Sequence, residues 1–264
     1  MAKKRVTLPK NFNELITAGD IEALKAVYDK CELTAHDGRY SLNTALHFGG
    51  VPDELVIWLV EQGLDVNTPD YYGRTPLYTH ATLGRDTVKL LYELGGDIQK
   101  TDTYGSTPLH TAARFFRPKI VSFLIEKGAD VNPKTVMGRT PLAEALATCR
   151  QINIAQVAEI AEMLIKAGAE VTPDMAERVE LIGKDFEFHR ENFNKDYLTE
   201  TEAGLEKLYA LFDVKPAPKR KIYDGVSPIL VEDGPWQKQY DELWEMLIPS
   251  SGPAKTVQGE VIRI

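Results

Sequence analysis

The sequence predicts an all-α solenoid of stacked helix-turn-helix units, followed by a helical extension. Three observations carry this. Thr-Pro-Leu recurs at Thr75-Pro76-Leu77, Thr107-Pro108-Leu109 and Thr140-Pro141-Leu142, after a variant Thr44-Ala45-Leu46, at intervals of 31, 32 and 33 residues. A glycine runs in phase with it at Gly63, Gly95, Gly128 and Gly168, at intervals of 32, 33 and 40. Before the first three of these glycines lies an apolar stretch. There Val56, Val88 and Val121 sit seven positions ahead of the glycine, and Leu59, Leu91 and Leu124 four ahead, which is helical spacing on one face. Markers sharing one period of 31–33 residues are the signature of a repeat array.

Each element follows from its residues. Thr then Pro reads as a helix start, because Thr accepts a backbone N–H at the N-cap and Pro suits the first helical position. Leu then opens the buried face. The periodic glycine falls where a second helix ends and a left-handed residue is wanted. Asp70-Tyr-Tyr-Gly73 and Asp102-Thr-Tyr-Gly105 are turn sequences ahead of each Thr-Pro.

At this point the chain resembles the ankyrin repeat family. The residues that carry the resemblance are DTYGSTPLHTAARFFRPKIVSFLIEKGADVN (102–132), DYYGRTPLYTHA with LYELGGDIQ (70–99), NTALHFGG with LVEQGLDVN (43–67), and MGRTPLAEAL with LIKAGAEV (137–171). FNELITAGDIEALKAVYDK (12–30) looks like the family's N-terminal capping helix pair. The resemblance implies antiparallel helix pairs with projecting hairpin fingers, and function by protein binding without catalysis. Departures are visible. Thr135 stands where the family's turn has Asp, so a looser last finger is expected. His80 stands where a small residue is usual, and Tyr78 and Ala143 replace the family's histidine. The fourth repeat carries about seven extra residues within TCRQINIAQ, enough for two more helical turns.

Residues 1–10 form an N-terminal tail. The repeat domain covers 11–172, with the capping pair and four repeats starting near 37, 70, 102 and 135. A stacked array exposes an apolar face at each end and needs caps. Thr172-Pro173 starts a helix with no finger before it. Thr199-Glu200-Thr201-Glu202 reads as a capping box opening a further helix with Leu205, Leu208 and Leu211 or Phe212 on one face. Residues 173–214 are therefore read as a capping helix pair. KPAPKRK (215–221) is a linker, and 222–264 is a C-terminal segment. Within it, Trp236, Tyr240, Leu243, Trp244 and Leu247 share one face of an amphipathic helix, expected to pack on 173–214. The alternating apolar residues of TVQGEVIRI end the chain.

Composition narrows the function. A net charge of −8 argues against a generic nucleic-acid binder and against charge-driven membrane attachment. The charge is uneven, with −2 over 1–172 and −6 over 173–264. Cys31 and Cys149 are too far apart in sequence for a zinc motif and too few for a disulfide framework. They fit a reducing compartment. The basic MAKKRVTLPK is followed by no apolar stretch, so it is not read as a secretory signal. A cytoplasmic location is expected, with no metal and no cofactor.

The candidate binding residues flank the turn glycines or follow the first helices, positions that face the partner in the family that the chain resembles. They are Arg39, Tyr40, Tyr71, Tyr72, Arg74, Tyr104, Arg114, Phe115, Val136, Met137 and Arg139. Tyr and Arg are enriched in binding hot spots, and Tyr71, Tyr72 and Arg74 look surplus to turn chemistry. His47 and His110 resemble the family's structural histidines. HREN (189–192) lacks the Asp and the downstream Asn of a kinase catalytic loop. SSGPAKT (250–256) lacks the glycines through which a phosphate loop brings its N–H groups close. With no complete catalytic constellation, the expected function is non-enzymatic binding of a protein partner through the concave finger and helix surface. The alternatives are a targeting or inhibitory scaffold acting through 173–264, whose Trp helix docks within or between chains, and a small enzyme domain in the same segment.

Overall fold

The computed structural model describes residues 3–38, 40–220, 223, 228–249, 254 and 259, the side chain at 245 apart. The backbone divides into two compact units, residues 1–148 with 159–171, and residues 149–158 with 172–264. Among the described residues there are twelve α-helices and two short strands. The protein is an all-α repeat solenoid with a helical extension.

The first unit begins with β1 (Arg5–Thr7), α1 (Phe12–Ala18), α2 (Ile21–Lys30) and β2 (Cys31–His36). Residues 5–7, read from sequence as tail, pair in parallel with β2. Leu8 is buried behind them. The repeats follow. Their first helices are a single 3₁₀ turn at Ala45–His47, then α4 (Pro76–Leu83), α6 (Pro108–Arg114) and α8 (Pro141–Thr148). Their second helices are α3 (Asp53–Glu61), α5 (Thr87–Glu93), α7 (Pro118–Glu126) and α9 (Ile154–Lys166). In the first member, where Ala45 stands in place of Pro, only the 3₁₀ turn forms behind Thr44, whose side chain makes no capping bond to the backbone. Thr75 and Thr107 accept the N–H of Tyr78 and His110, and proline occupies the first position of α4 and α6. The core is the predicted stripe: Val56, Leu59, Val88, Leu91, Val121 and Leu124 are all fully buried. The inserted residues of the fourth repeat form a 3₁₀ turn at Gln151–Asn153 and lengthen α9 to 13 residues, against 7 to 9 in α3, α5 and α7.

The fingers are built by side-chain-to-backbone bonds. Asp70 accepts the N–H groups of Tyr72 and Arg74, and Asp102 those of Tyr104 and Ser106, while Gly73 and Gly105 take positive φ to close the turn. The turn at Thr135 keeps the same backbone closure, Thr135 N–H to Arg139 O at 3.0 Å, but its hydroxyl accepts only one N–H, at 3.3 Å. Successive fingers are stitched by Tyr71 N–H to Ser41 O, Thr103 N–H to Tyr72 O, and Val136 N–H to Tyr104 O, at 2.8 to 2.9 Å. A second ladder joins the far ends of the repeats. Asn67, Gln99 and Asn132 each donate a side-chain N–H to the glycine carbonyl of the next repeat, Gly95, Gly128 and Gly168. Each also accepts an N–H two residues beyond that glycine, from Asp97, Asp130 and Glu170.

The second unit holds α10 (Pro173–His189), α11 (Lys195–Phe212) and α12 (Trp236–Leu247). Met175, Val179, Ile182, Phe186, Leu205, Leu208 and Phe212 are buried there, so the stripe on α11 ends on Phe212. One boundary differs from expectation. The helix does not open at Thr199; it starts four residues earlier, behind Asn194, whose side chain accepts the N–H of Asp196. Thr199 to Glu202 thus lie inside the helix, and Thr201 is buried. Two glycines allow close approach. A Cβ on Gly204 would lie 2.7 Å from the Cα of Ala155, and one on Gly183 would strike the hydroxyl of Tyr209. On α12 only part of the predicted stripe is covered. Leu247 is buried with the adjoining Ile248, but Trp236 is 71 % exposed, and Tyr240 is also exposed. Arg220 ties the end of α12 to α10: it donates to Phe188 O, Trp244 O and Ile248 O and stacks over the Phe188 ring at 4.3 Å. Residues 255–258 and 260–264, with most of SSGPAKT and TVQGEVIRI, lie outside the described residues.

Candidate functional site

The first helices present their polar residues to the fingers in a regular way. In the first repeat, His47 bonds Arg74 O at 3.1 Å through Nε2 and the Thr44 hydroxyl through Nδ1. In the third repeat, His110 bonds Arg139 O at 3.0 Å through Nε2, and its Nδ1 accepts the N–H of Thr107. A carbonyl only accepts, so Nε2 carries the hydrogen in both rings. Burial holds both pKa values below the ordinary histidine value. Tyr78 does the same work in the second repeat: its hydroxyl donates to Asp102 Oδ2 at 3.1 Å and reaches Ser106. Ala143 has no such task, since no finger follows it in the chain. His80 is fully buried and donates through Nε2 to Leu46 O, which places it as a link between neighbouring repeats.

Among the predicted binding residues, Tyr40, Tyr71, Tyr72, Tyr104, Phe115, Val136 and Met137 are exposed. Arg39 lies outside the described residues. On the second finger Tyr71 and Tyr72 meet edge to face at 5.3 Å, and the Arg74 guanidinium sits 4.9 Å over the Tyr72 ring. Arg74 is not surplus to folding. It makes two contacts of 2.7 Å with Asp70 Oδ2, and the Asp70 side chain has no exposed surface. A buried carboxylate needs its cation, so part of the Tyr-Tyr-Arg stretch belongs to the turn itself.

The third and fourth fingers bring five of the predicted residues together. Tyr104, Arg114, Phe115, Val136 and Met137 line one cavity of about 310 Å³, with Asp102, His110 and Glu144. Arg139 reaches the same carboxylate: its Nη1 stands 3.6 Å from Glu144 Oε1, and Arg114 Nη1 stands 3.7 Å from Glu144 Oε2. Glu144 is only 6 % exposed, and its Oε2 accepts no hydrogen bond. Glu144 was not anticipated from sequence. Its signal is positional: it follows Pro-Leu-x in α8 where the equivalent residues of α4 and α6 are Thr79 and Thr111. The arrangement offers apolar and aromatic walls and half-exposed guanidiniums.

Elsewhere the HREN fragment is used structurally. In HREN, Arg190 pairs with Glu187 and Glu202 and lies over the Phe186 ring. Both cysteines are free and buried, and burial pushes the Cys149 thiol up to about 12. Among the described residues no group of His, Cys, Asp and Glu could hold a metal ion, and no helix is long and apolar enough to cross a membrane.

Stacked helix pairs, stitched fingers and histidines bonded from one repeat to the next define a helical repeat solenoid. The family model for ankyrin repeats, in three copies, matches residues 13–102 and 84–174, more than half of the chain. The chain belongs to the ankyrin repeat family. No curated protein matches it significantly.

Proposed function

We propose that this protein is a non-enzymatic interaction module that binds a polypeptide partner through the finger and first-helix surface of its repeats. Ankyrin repeats are generally protein–protein interaction modules. The observation that supports this surface is the convergence of Tyr104, Phe115, Val136, Met137 and Arg114 on one cavity. A cluster of exposed aromatic and sulfur-bearing side chains beside an arginine has the composition of a binding hot spot. Two buried thiols fit a reducing compartment, and a cytoplasmic location is part of the proposal.

The test is selection of a displayed random-peptide library on the full chain. Enriched peptides should lose roughly 1–3 kcal/mol of binding on Tyr104→Ala combined with Met137→Ala, with the melting temperature unchanged. Enriched peptides indifferent to that double substitution would move the partner surface away from the cavity. A second reading, docking through the C-terminal segment, draws on the exposure of Trp236 and Tyr240 on α12. Peptides that depend on Trp236 and not on Tyr104 would favour it.

A further inference from the structure

The hydrogen-bonding groups around the cavity define what it reads. Arg114 and Arg139 come from different repeats and converge on Glu144, one on each carboxylate oxygen. With Asp102 in the lining as well, two guanidiniums stand against two carboxylates, so what sets the preference is which of these groups are left free to bond a ligand. The Asp102 oxygens are occupied: they accept the N–H groups of Tyr104 and Ser106 and the hydroxyl of Tyr78. The contacts to Glu144 are 3.6 and 3.7 Å, too long to be hydrogen bonds. Glu144 therefore orients both guanidiniums electrostatically without consuming their N–H donors. The side chains of Arg114 and Arg139 are 55 % and 43 % exposed, so those donors face solvent. The Oε2 atom is shut off from solvent and aimed at Arg114, so it serves the arginine and not a ligand.

Resting on the binding role proposed above, we infer that the cavity between the third and fourth fingers takes an acidic side chain, Asp or Glu, carried by an otherwise apolar peptide segment. The carboxylate meets Arg114, with Arg139 beside it, where planar guanidinium N–H groups match carboxylate geometry. The flanking apolar residues seat on Tyr104, Phe115, Val136 and Met137. Glu144 is a positioning residue: it touches the arginines and holds them in place.

The library selection on the full chain tests this through the content of the enriched peptides. They should share an acidic residue with apolar neighbours. A synthetic peptide of that sequence should lose binding about tenfold when its acid is changed to the amide. Arg114→Gln should produce a comparable loss and make the acid and amide forms of the peptide bind alike. Arg114→Glu should reverse the preference, so that a Lys form of the same peptide binds better than the acidic form. That rescue separates recognition from damage to the fold. Glu144→Gln should weaken the acidic peptide several-fold while leaving the amide form unaffected. If peptides are enriched that need Tyr104 but carry no acid, or carry Lys in its place, the inference falls while the groove remains the binding surface. If none depends on Tyr104, the binding role of this surface falls as well.

Discussion

His80 makes the repeat domain sensitive to acid, and the effect can be sized. Its ring is fully buried in α4, donates to Leu46 O at 3.0 Å through Nε2, and offers Nδ1 no partner. Burial holds its pKa at about 4, against an ordinary unfolded value of about 6.5. Between those values the unfolded chain carries a proton that the folded chain does not. Stability is therefore fully present above about pH 6.5 and is lost as pH falls toward 4. From pH 7 to 4.5 the loss from this one group is about 2 kcal/mol. His47 and His110 are shifted the same way and add to it. The perturbation that isolates His80 is His80→Ala. At pH 7 it costs about 2–4 kcal/mol, from the cavity and the orphaned Leu46 carbonyl. That gap should shrink by about 2 kcal/mol at pH 4.5, because the variant has no ring left to protonate. Urea midpoints followed by circular dichroism at pH 7, 5.5 and 4.5, for both proteins, read it. The carboxylate titrations are common to both and cancel in the difference. A gap that is constant with pH, or that widens in acid, would refute the reasoning.

Three further outcomes are expected. Gly204→Ala should lower stability by about 2 kcal/mol, although alanine is the better helix former by about 1, because its Cβ would meet the Ala155 backbone; a thermal melt reads the sign. Arg74→Ala should cost about 1–2 kcal/mol in urea unfolding by leaving the Asp70 carboxylate without its cation, discounted for the half-exposed guanidinium, whereas Tyr71→Ala should cost less than half of that. Asn132→Ala should raise hydrogen exchange at Glu170 N–H, which loses its acceptor, and leave Asp97 N–H, held by Asn67, unchanged.

The period, the helix starts and the buried stripe were legible in the chain because each is local chemistry. A threonine caps a helix three residues ahead, a proline sets the first turn, and valine and leucine spaced by three face one side. Those features depend on nothing beyond one helix length. The turn residues were read correctly in kind, but Arg74 was taken as surplus to the turn, because its pairing with the Asp70 carboxylate shows only in the folded finger. Asn194 was passed over as a helix start because Thr199-Glu200-Thr201-Glu202 satisfies a capping pattern in sequence, whereas in the folded chain Asn194 caps the helix and Thr201 is buried inside it.

Sequence alone thus determined that this chain repeats, where the helices behind Thr75, Thr107 and Thr140 start, and which face of the second helices is apolar. The tertiary structure decided what depends on residues about thirty positions apart meeting across neighbouring repeats. Tyr78 can replace a histidine because its hydroxyl reaches Asp102 in the next finger. Asn67, Gln99 and Asn132 become a ladder only when successive repeats align. Arg114, Arg139 and Glu144 come from α6, a finger and α8, and their charges meet at one carboxylate only after those elements stack. Capping and periodicity act through adjacent peptide groups and are written in order along the chain. Electrostatic and side-chain contacts between repeats depend on distance in space, and that distance exists only in the folded protein.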